Sequence, residues 1–273
     1  MKQRAPAGAV LALATLLIVG ACSDTPDTGV GPGPVGPVGP QGEVGPQGDI
    51  EPGGGAEKIP GSGDIVVEAR DVAGFERIDL AGEGRVEVSL GGDPSLTIET
   101  DDNLMEYLEV LVSGTTLTLR TIGDGAFDID PTASIVWRVT VPMLVEVTIS
   151  GAGAIDAPGL EGDRIDASVD GAGDITLPGL DAGVLVAQIN GAGSIIAGGA
   201  AESVDASVNG AGTIDLGELE TVDASLHINS SANVTVWATG EIDISGDGPG
   251  TVAVYGSPEV SGGGDRVTLL GEK

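Results

Sequence analysis

The sequence predicts an all-β fold, a parallel β-helix with about 20 residues per coil, on three observations. The first is a repeat. Gly-Ala-Gly stands at Gly151-Ala152-Gly153, Gly171-Ala172-Gly173, Gly191-Ala192-Gly193 and Gly210-Ala211-Gly212, at spacings of 20, 20 and 19 residues. Degenerate copies follow at Ser230-Ser231-Ala232 and Gly246-Asp247-Gly248. A fixed period of this length marks a solenoid of stacked coils. The second observation is a period of 2 on both sides of each turn. Ile155/Ala157, Ile175/Leu177, Ile195/Ala197, Ile214/Leu216, Val234/Val236 and Val252/Val254 follow the turns, and Ile165-Ala167-Val169, Leu185-Ala187-Ile189, Val204-Ala206-Val208 and Leu226-Ile228 precede them. Alternation of this kind gives half-buried strands. The third is a negative: no run is apolar at i, i+3, i+4 and i+7, and β-branched residues and glycines are everywhere.

Stacking one coil on the next sets equivalent positions about 4.8 Å apart, so the Ile, Val and Leu columns form a continuous dry interior. The small alanine positions fit a narrow cross-section. The position before each turn reads Ser150, Asp170, Asn190, Asn209, Asn229 and Ser245. Asn and Asp tolerate left-handed backbone and bond their own turns, which suits a corner. Two readings stand for the stacked Asn side chains: a ladder between coils, or, from parity alone, an outward-facing row.

The chain reads as three segments. Residues 1–21 form an export signal: Lys2 and Arg4 supply the positive start, and residues 10–19 form an apolar core too short to span a membrane. It ends in Val19-Gly20-Ala21-Cys22, which resembles the lipobox of bacterial lipoproteins and implies lipidation at Cys22. Cys22 is the only cysteine, so no intramolecular disulfide forms. Ser23 rather than Asp follows it, which by resemblance to the enterobacterial sorting rule permits outer-membrane delivery. Residues 22–63 are a Gly/Pro-rich linker, and within it residues 33–50 form six unbroken Gly-X-Y triplets resembling bacterial collagen-like stalks. Two readings stand for this stretch, a semi-extended polyproline-II spacer and a homotrimerising stalk.

Residues 64–273 form the folded domain. Its opening stretch, to residue 142, is strand-rich but less regular, and is expected to supply the capping or opening coils. Leu80-Ala81-Gly82-Glu83-Gly84 reads as an early copy of the repeat, and residues 103–110 as one or two helical turns with Leu104, Met105 and Leu108 inward. Trp137 alternates with Ile135 and Val139 and belongs to the core. The last strand is expected at residues 267–270, in the other cap.

Phe75-Glu76-Arg77-Ile78-Asp79-Leu80, Asp101-Asp102-Asn103-Leu104, Gly114-Thr115-Thr116-Leu117, the tandem Gly-Ala-Gly repeats and the closing Val254-Tyr255-Gly256-Ser257-Pro258 together resemble the head GIN domain, a family named for adhesins of autotransporter type. The resemblance covers residues 64–266. It implies a right-handed β-helix, secreted or lipid-anchored, and it brings no catalytic residues.

The chain carries 42 acids against 11 bases, a formal net charge of −31, and between residues 140 and 265 the only base is Arg164. Nothing there neutralises a polyanion, which argues against nucleic acid and anionic polysaccharide as partners. The acids do not follow the calcium-binding nonapeptide Gly-Gly-x-Gly-x-Asp: in Asn190-Gly191-Ala192-Gly193-Ser194-Ile195 the sixth place is an apolar Ile. No built metal site and no cofactor are expected; the acids read as a solvated face, with loose calcium binding by outer-face acids as the alternative.

Candidate chemistry is sparse. His227, the only histidine, shares a strand face with Asp223, Ser225 and Asn229. Same-face neighbours on a strand lie about 6.6–7 Å apart, too far for a preset relay along it. Trp237 and Tyr255 each follow an inward pair, eighteen residues apart, and should neighbour one another. They form either an aromatic stack closing the solenoid or a sugar-stacking glycan platform.

The function this supports is a non-catalytic adhesin or binding domain on a lipid-anchored cell-envelope protein, joined to a membrane through Cys22 and directed at a glycan or a surface protein. Two alternatives stand beside it: a carbohydrate-active enzyme on a β-helix, which needs a cleft with two acids, and a structural or self-associating envelope module.

Overall fold

The computed structural model describes residues 57–122 and 127–273. The export signal at 1–21, the lipidation residue Cys22 and the triplets at 33–50 lie outside the described residues. The rest is almost entirely strand, with two short 3₁₀ helices at Asp102–Tyr107 and Gly264–Arg266.

The repeat folds as its period dictates. The strands Ala172–Ile189, Ala192–Val208 and Ala211–Ile228 each run nearly a full lap and pair in parallel with the lap before and after. Ile155 sits opposite Ile175, Ile175 opposite Ile195, Ile195 opposite Ile214, and the column continues through Val234 and Val252. A second column runs Leu119, Leu80, Ile149, Val169, Ile189, Val208 and Ile228. All of these side chains are buried, so the core is a stack of aliphatic rungs that each contact only their neighbours.

The glycines of the turns are fixed by crowding. Gly171, Gly191 and Gly210 have no left-handed backbone, but a Cβ on any of them would come within 1.9 Å of the carbonyl oxygen of the preceding turn's glycine. The oxygen is main chain and cannot move aside. Ala172, Ala192 and Ala211 donate their N–H groups to the same carbonyls, which holds the turns in contact. Gly82 and Gly84 lie beneath Gly151 and Gly153 in the same way, so the early copy of the repeat is a true coil.

The first half supplies both opening coils and a cap, but the coils do not stack in chain order. The coil made by Arg77–Leu80 and Arg85–Leu90 lies between the coil of Thr116–Thr121 and Val136–Val141 on one side and that of Glu146–Ile149 and Ala152–Asp156 on the other. The chain therefore leaves its first coil, lays another beneath it, and returns past it to start the regular repeat. Beyond these coils the pairing turns antiparallel: Ser95–Asp101 runs against both Val136–Val141 and Ile65–Arg70, and Leu108–Ser113 folds back on Thr116–Thr121. Only the last of these is a hairpin, which returns at once where another parallel strand would need a full lap; together the antiparallel strands cover the open end of the sheet. The helix Asp102–Tyr107 plugs this end with Leu104 and Met105 buried and Leu108 following. Trp137 is fully buried and donates its indole N–H to the Glu83 carbonyl at 3.1 Å.

Candidate functional site

Between residues 140 and 265 the outward positions are acidic or neutral except for Arg164. Along one corner the strands leave a shallow depression of about 550 Å³, flanked by Glu161, Asp163, Asp181 and Glu202. Ser203 joins it to a second depression of about 340 Å³ flanked by Asp205, Asp223, Glu241 and Asp243. Eight carboxylates on five successive coils thus edge one open trough, with no base among its lining residues. Stacking sets Glu161 opposite Asp181, Ser203 opposite Asp223, and Ser225 between Asp205 and Asp243. Arg164 stands near the trough but is committed to Asp166, donating from Nε at 2.9 Å and from Nη2 at 2.7 Å, and this bond to Asp166 raises its pKa further. Of the other described arginines, all but Arg266 stand in the first half. Arg138 bridges Glu99 at 2.6 Å and Glu87 at 3.2 Å, Arg77 meets Glu146 at 2.9 Å, and Arg120 meets Glu109 at 2.6 Å. Among the described residues no group of three or more His, Cys, Asp or Glu side chains is placed to hold a metal ion.

The expected ladder is present at the neighbouring corner. Asn190 donates to Asp170 at 2.7 Å, Asn209 to Asn190 at 3.0 Å, and Asn229 to Asn209 at 2.9 Å. His227 closes the line. Its Nε2 faces the Asn229 amide nitrogen at 2.8 Å and its Nδ1 faces Ser245 Oγ at 2.9 Å, one coil away. Because the Asn229 amide can only donate, Nε2 accepts and the proton sits on Nδ1, pointing at Ser245. A base that activates a serine must accept from it, so this polarity is the reverse of a nucleophile relay. Asp223 and Ser225, on the same strand, form no hydrogen bond to the ring.

The aromatic pair is assembled as expected. Trp237 and Tyr255 lie in register on adjacent coils and are half-buried. The Lys273 ammonium lies over both, 5.5 Å from the Trp237 ring centre and 5.1 Å from that of Tyr255. No feature near residue 237 foretells a lysine from the far end of the chain.

A carboxylate the sequence did not single out holds the opposite end together. Asp101 is buried and accepts from Gly63 N–H at 2.7 Å, Thr132 Oγ1 at 2.6 Å and Thr132 N–H at 2.9 Å. The Thr132 hydroxyl bond, aided by the two backbone N–H groups and opposed by burial, holds its carboxyl below the usual carboxylate range. Asp102 accepts from Ser62 Oγ and Asn103 donates to the Pro60 carbonyl, so three successive residues fasten the incoming segment to the cap.

Among the described residues no helix is long and apolar enough to cross a membrane. A family profile described as "Putative auto-transporter adhesin, head GIN domain" matches residues 74–258. No curated protein matches the chain. Among solved structures, a "putative adhesin" from Bacteroides fragilis NCTC 9343 aligns with TM-score 0.69 and 24% identity over 78% of this chain and 97% of that one. A "putative lipid binding protein" from Parabacteroides distasonis ATCC 8503 aligns with TM-score 0.60 and 20% identity over 79% and 97%. A "putative adhesin" from Parabacteroides merdae ATCC 43184 aligns with TM-score 0.56 and 19% identity over 79% and 97%. At these identities the likeness establishes the β-solenoid fold.

Proposed function

The chain belongs to the head GIN domain family, and on that premise we propose that it is an exported, lipid-anchored envelope protein whose β-solenoid binds a surface partner without catalysis. The observation that carries this reading is the trough, which spreads its carboxylates evenly along an open corner instead of converging them on one enclosed point. Such a surface meets a partner over several coils at once. The partner it fits is a surface protein with a basic face, drawn in by the excess of 42 acids over 11 bases. A neutral glycan reaching the Trp237 and Tyr255 rings is the second fit, favoured by their register and half-exposure. Cys22 anchors the protein by its acyl chains, in the outer membrane by the Ser23 reading, and residues 33–50 hold the domain off the bilayer or gather three copies.

The mature full-length protein, screened against surface proteins and neutral glycans at low and high salt, tests the reading. We expect salt-sensitive binding that weakens in Asp181→Asn/Glu202→Gln. Binding that ignores both salt and these substitutions would remove the trough from the account, and no binding at all would remove the adhesive role. Palmitate labelling lost in Cys22→Ser tests the anchor. Light scattering with and without residues 33–50 tests the trimer.

A further inference from the structure

Pairing slips at this corner in successive coils, by one residue after Leu177 and after Ile196, and the slip is largest beside Trp237 and Tyr255. Pairing between the strands Ala211–Ile228 and Asn233–Ala238 slips between Leu216 and Glu220, which leaves Gly217, Glu218 and Leu219 as a three-residue bulge. Gly217 donates its N–H to Asp215 Oδ1 at 3.0 Å, and a Cβ at Gly217 would lie 3.5 Å from the Tyr255 ring. The bulge thus sets one carbonyl and one carboxylate beside two aromatic faces. The Lys273 ammonium occupies the space between them: it lies over both rings, donates to the Gly217 carbonyl and pairs with Glu218 Oε1. The strand before it, Val267–Gly271, is largely exposed, yet the Lys273 side chain is only 25% exposed.

Two ring faces, a carboxylate and a carbonyl replace the hydration of an ammonium by charge, dipole and quadrupole together. We propose that Trp237, Tyr255, Glu218 and the Gly217 carbonyl form a cage for a primary ammonium, that the ligand is a lysine side chain on a protein partner, and that Lys273 fills the cage when no partner does. The inference deepens the binding reading, naming a ligand chemistry for one end of the acidic face. A lysine is favoured because the group seated there is a lysine side chain carried on an extended segment, and because the net charge of −31 favours cationic partners. The cage and Lys273 compete, so the affinity for an outside ammonium scales with the fraction of molecules whose Lys273 has left.

The test is titration of the full-length protein and its Lys273→Ala variant with Nα-acetyl-lysine methylamide, phosphoethanolamine and methyl glucoside, followed by tryptophan fluorescence. Trp137 is buried, so the response reports Trp237, and Trp237→Phe supplies the blank. Lys273→Ala should bind the lysine amide at least about tenfold more tightly than the native chain. Adding Glu218→Gln or Tyr255→Ala to Lys273→Ala should cost about tenfold. Unchanged melting and circular dichroism exclude misfolding as the cause. No response to the lysine amide in Lys273→Ala, or equal responses with and without Lys273, overturns the cage. Phosphoethanolamine bound as tightly overturns the protein-lysine assignment, and methyl glucoside bound in place of the amines returns the rings to sugar stacking. None of these outcomes depends on the salt-sensitive trough, so the cage and the adhesive reading fail separately.

Discussion

Asn190 donates its side-chain amide to the Asp170 carboxylate at 2.7 Å, across twenty residues of sequence and one lap of the solenoid. An ionised carboxylate only accepts, so it forces the Asn190 amide to face it with nitrogen. That turns the Asn190 oxygen toward Asn209, which must answer with nitrogen in turn, and the same holds at Asn229. One charge at one end therefore sets the polarity of four coils and the tautomer of His227.

His227 is the only histidine, so its two ring nitrogens can be followed by long-range proton–nitrogen correlation without assignment ambiguity. The neutral ring is expected as the Nδ1–H form. Asp170→Asn replaces the acceptor by a group that accepts or donates, removes the rule, and should yield a mixture of tautomers. A native ring in the Nε2–H form would show that the Asn229 contact is not a donated bond.

Gly191 makes the second prediction. A methyl group there meets the Gly171 carbonyl oxygen at 1.9 Å and the Asp170 oxygen at 2.6 Å, both backbone. Gly191→Ala must push adjacent coils apart, at a cost of about 3 kcal/mol or more. Gly162→Ala is the control, since its nearest neighbour is a flexible Ile165 methyl at 3.5 Å, and it should change stability by less than about 0.5 kcal/mol. Urea melts of the two variants separate crowding from any general penalty for losing glycine.

Asp101 makes stability depend on pH. The folded carboxyl is held below the ordinary value of 3.8 by its bonds to Thr132 and Gly63. Its contribution is complete above that ordinary value and disappears as the pH falls through the lower folded one. Asp101→Asn puts an amide N–H against a donor, Thr132 N–H or Gly63 N–H. Its melting temperature should fall below that of the native chain by a constant margin near neutrality, and the margin should shrink below about pH 4. A margin that persists in acid would assign the loss to packing.

The regular half was legible because a period writes the register directly. Once Gly151, Gly171, Gly191 and Gly210 are aligned, Ile155, Ile175, Ile195 and Ile214 can only stack, and they do. The reason for the glycines was not legible, because a one-dimensional pattern does not show how closely two backbones approach. The threading of the first half was hidden for another reason. Antiparallel pairing of Ser95–Asp101 with Val136–Val141 joins segments that share no repeat. Asp101 and Lys273 were missed alike: Thr132 is 31 residues from Asp101, and Glu218 is 55 from Lys273. Asp101-Asp102-Asn103 offered the one usable signal, three consecutive side chains fit to bond a backbone from outside regular structure.

Arg266 makes the last prediction, which concerns how the solenoid opens. Its guanidinium donates to the carbonyls of Gly248 at 2.8 Å, Ser245 at 3.0 Å and Gly246 at 2.8 Å, so one side chain clamps the final turn. The strands Glu259–Gly262 and Val267–Gly271 pair on one side only among the described residues and bury little. In a stack whose coils touch only their neighbours, weakening one end should not loosen the middle. Charge-assisted bonds of this kind contribute at least about 1.5 kcal/mol, so Arg266→Ala should speed amide exchange in these two strands about tenfold. Exchange in Ala172–Ile189 should stay as slow as in the native chain, and so should exchange in Arg77–Leu80, which has a coil on either side. If Arg266→Ala quickened exchange evenly along all the coils, opening would be a single cooperative event rather than a peeling from the end.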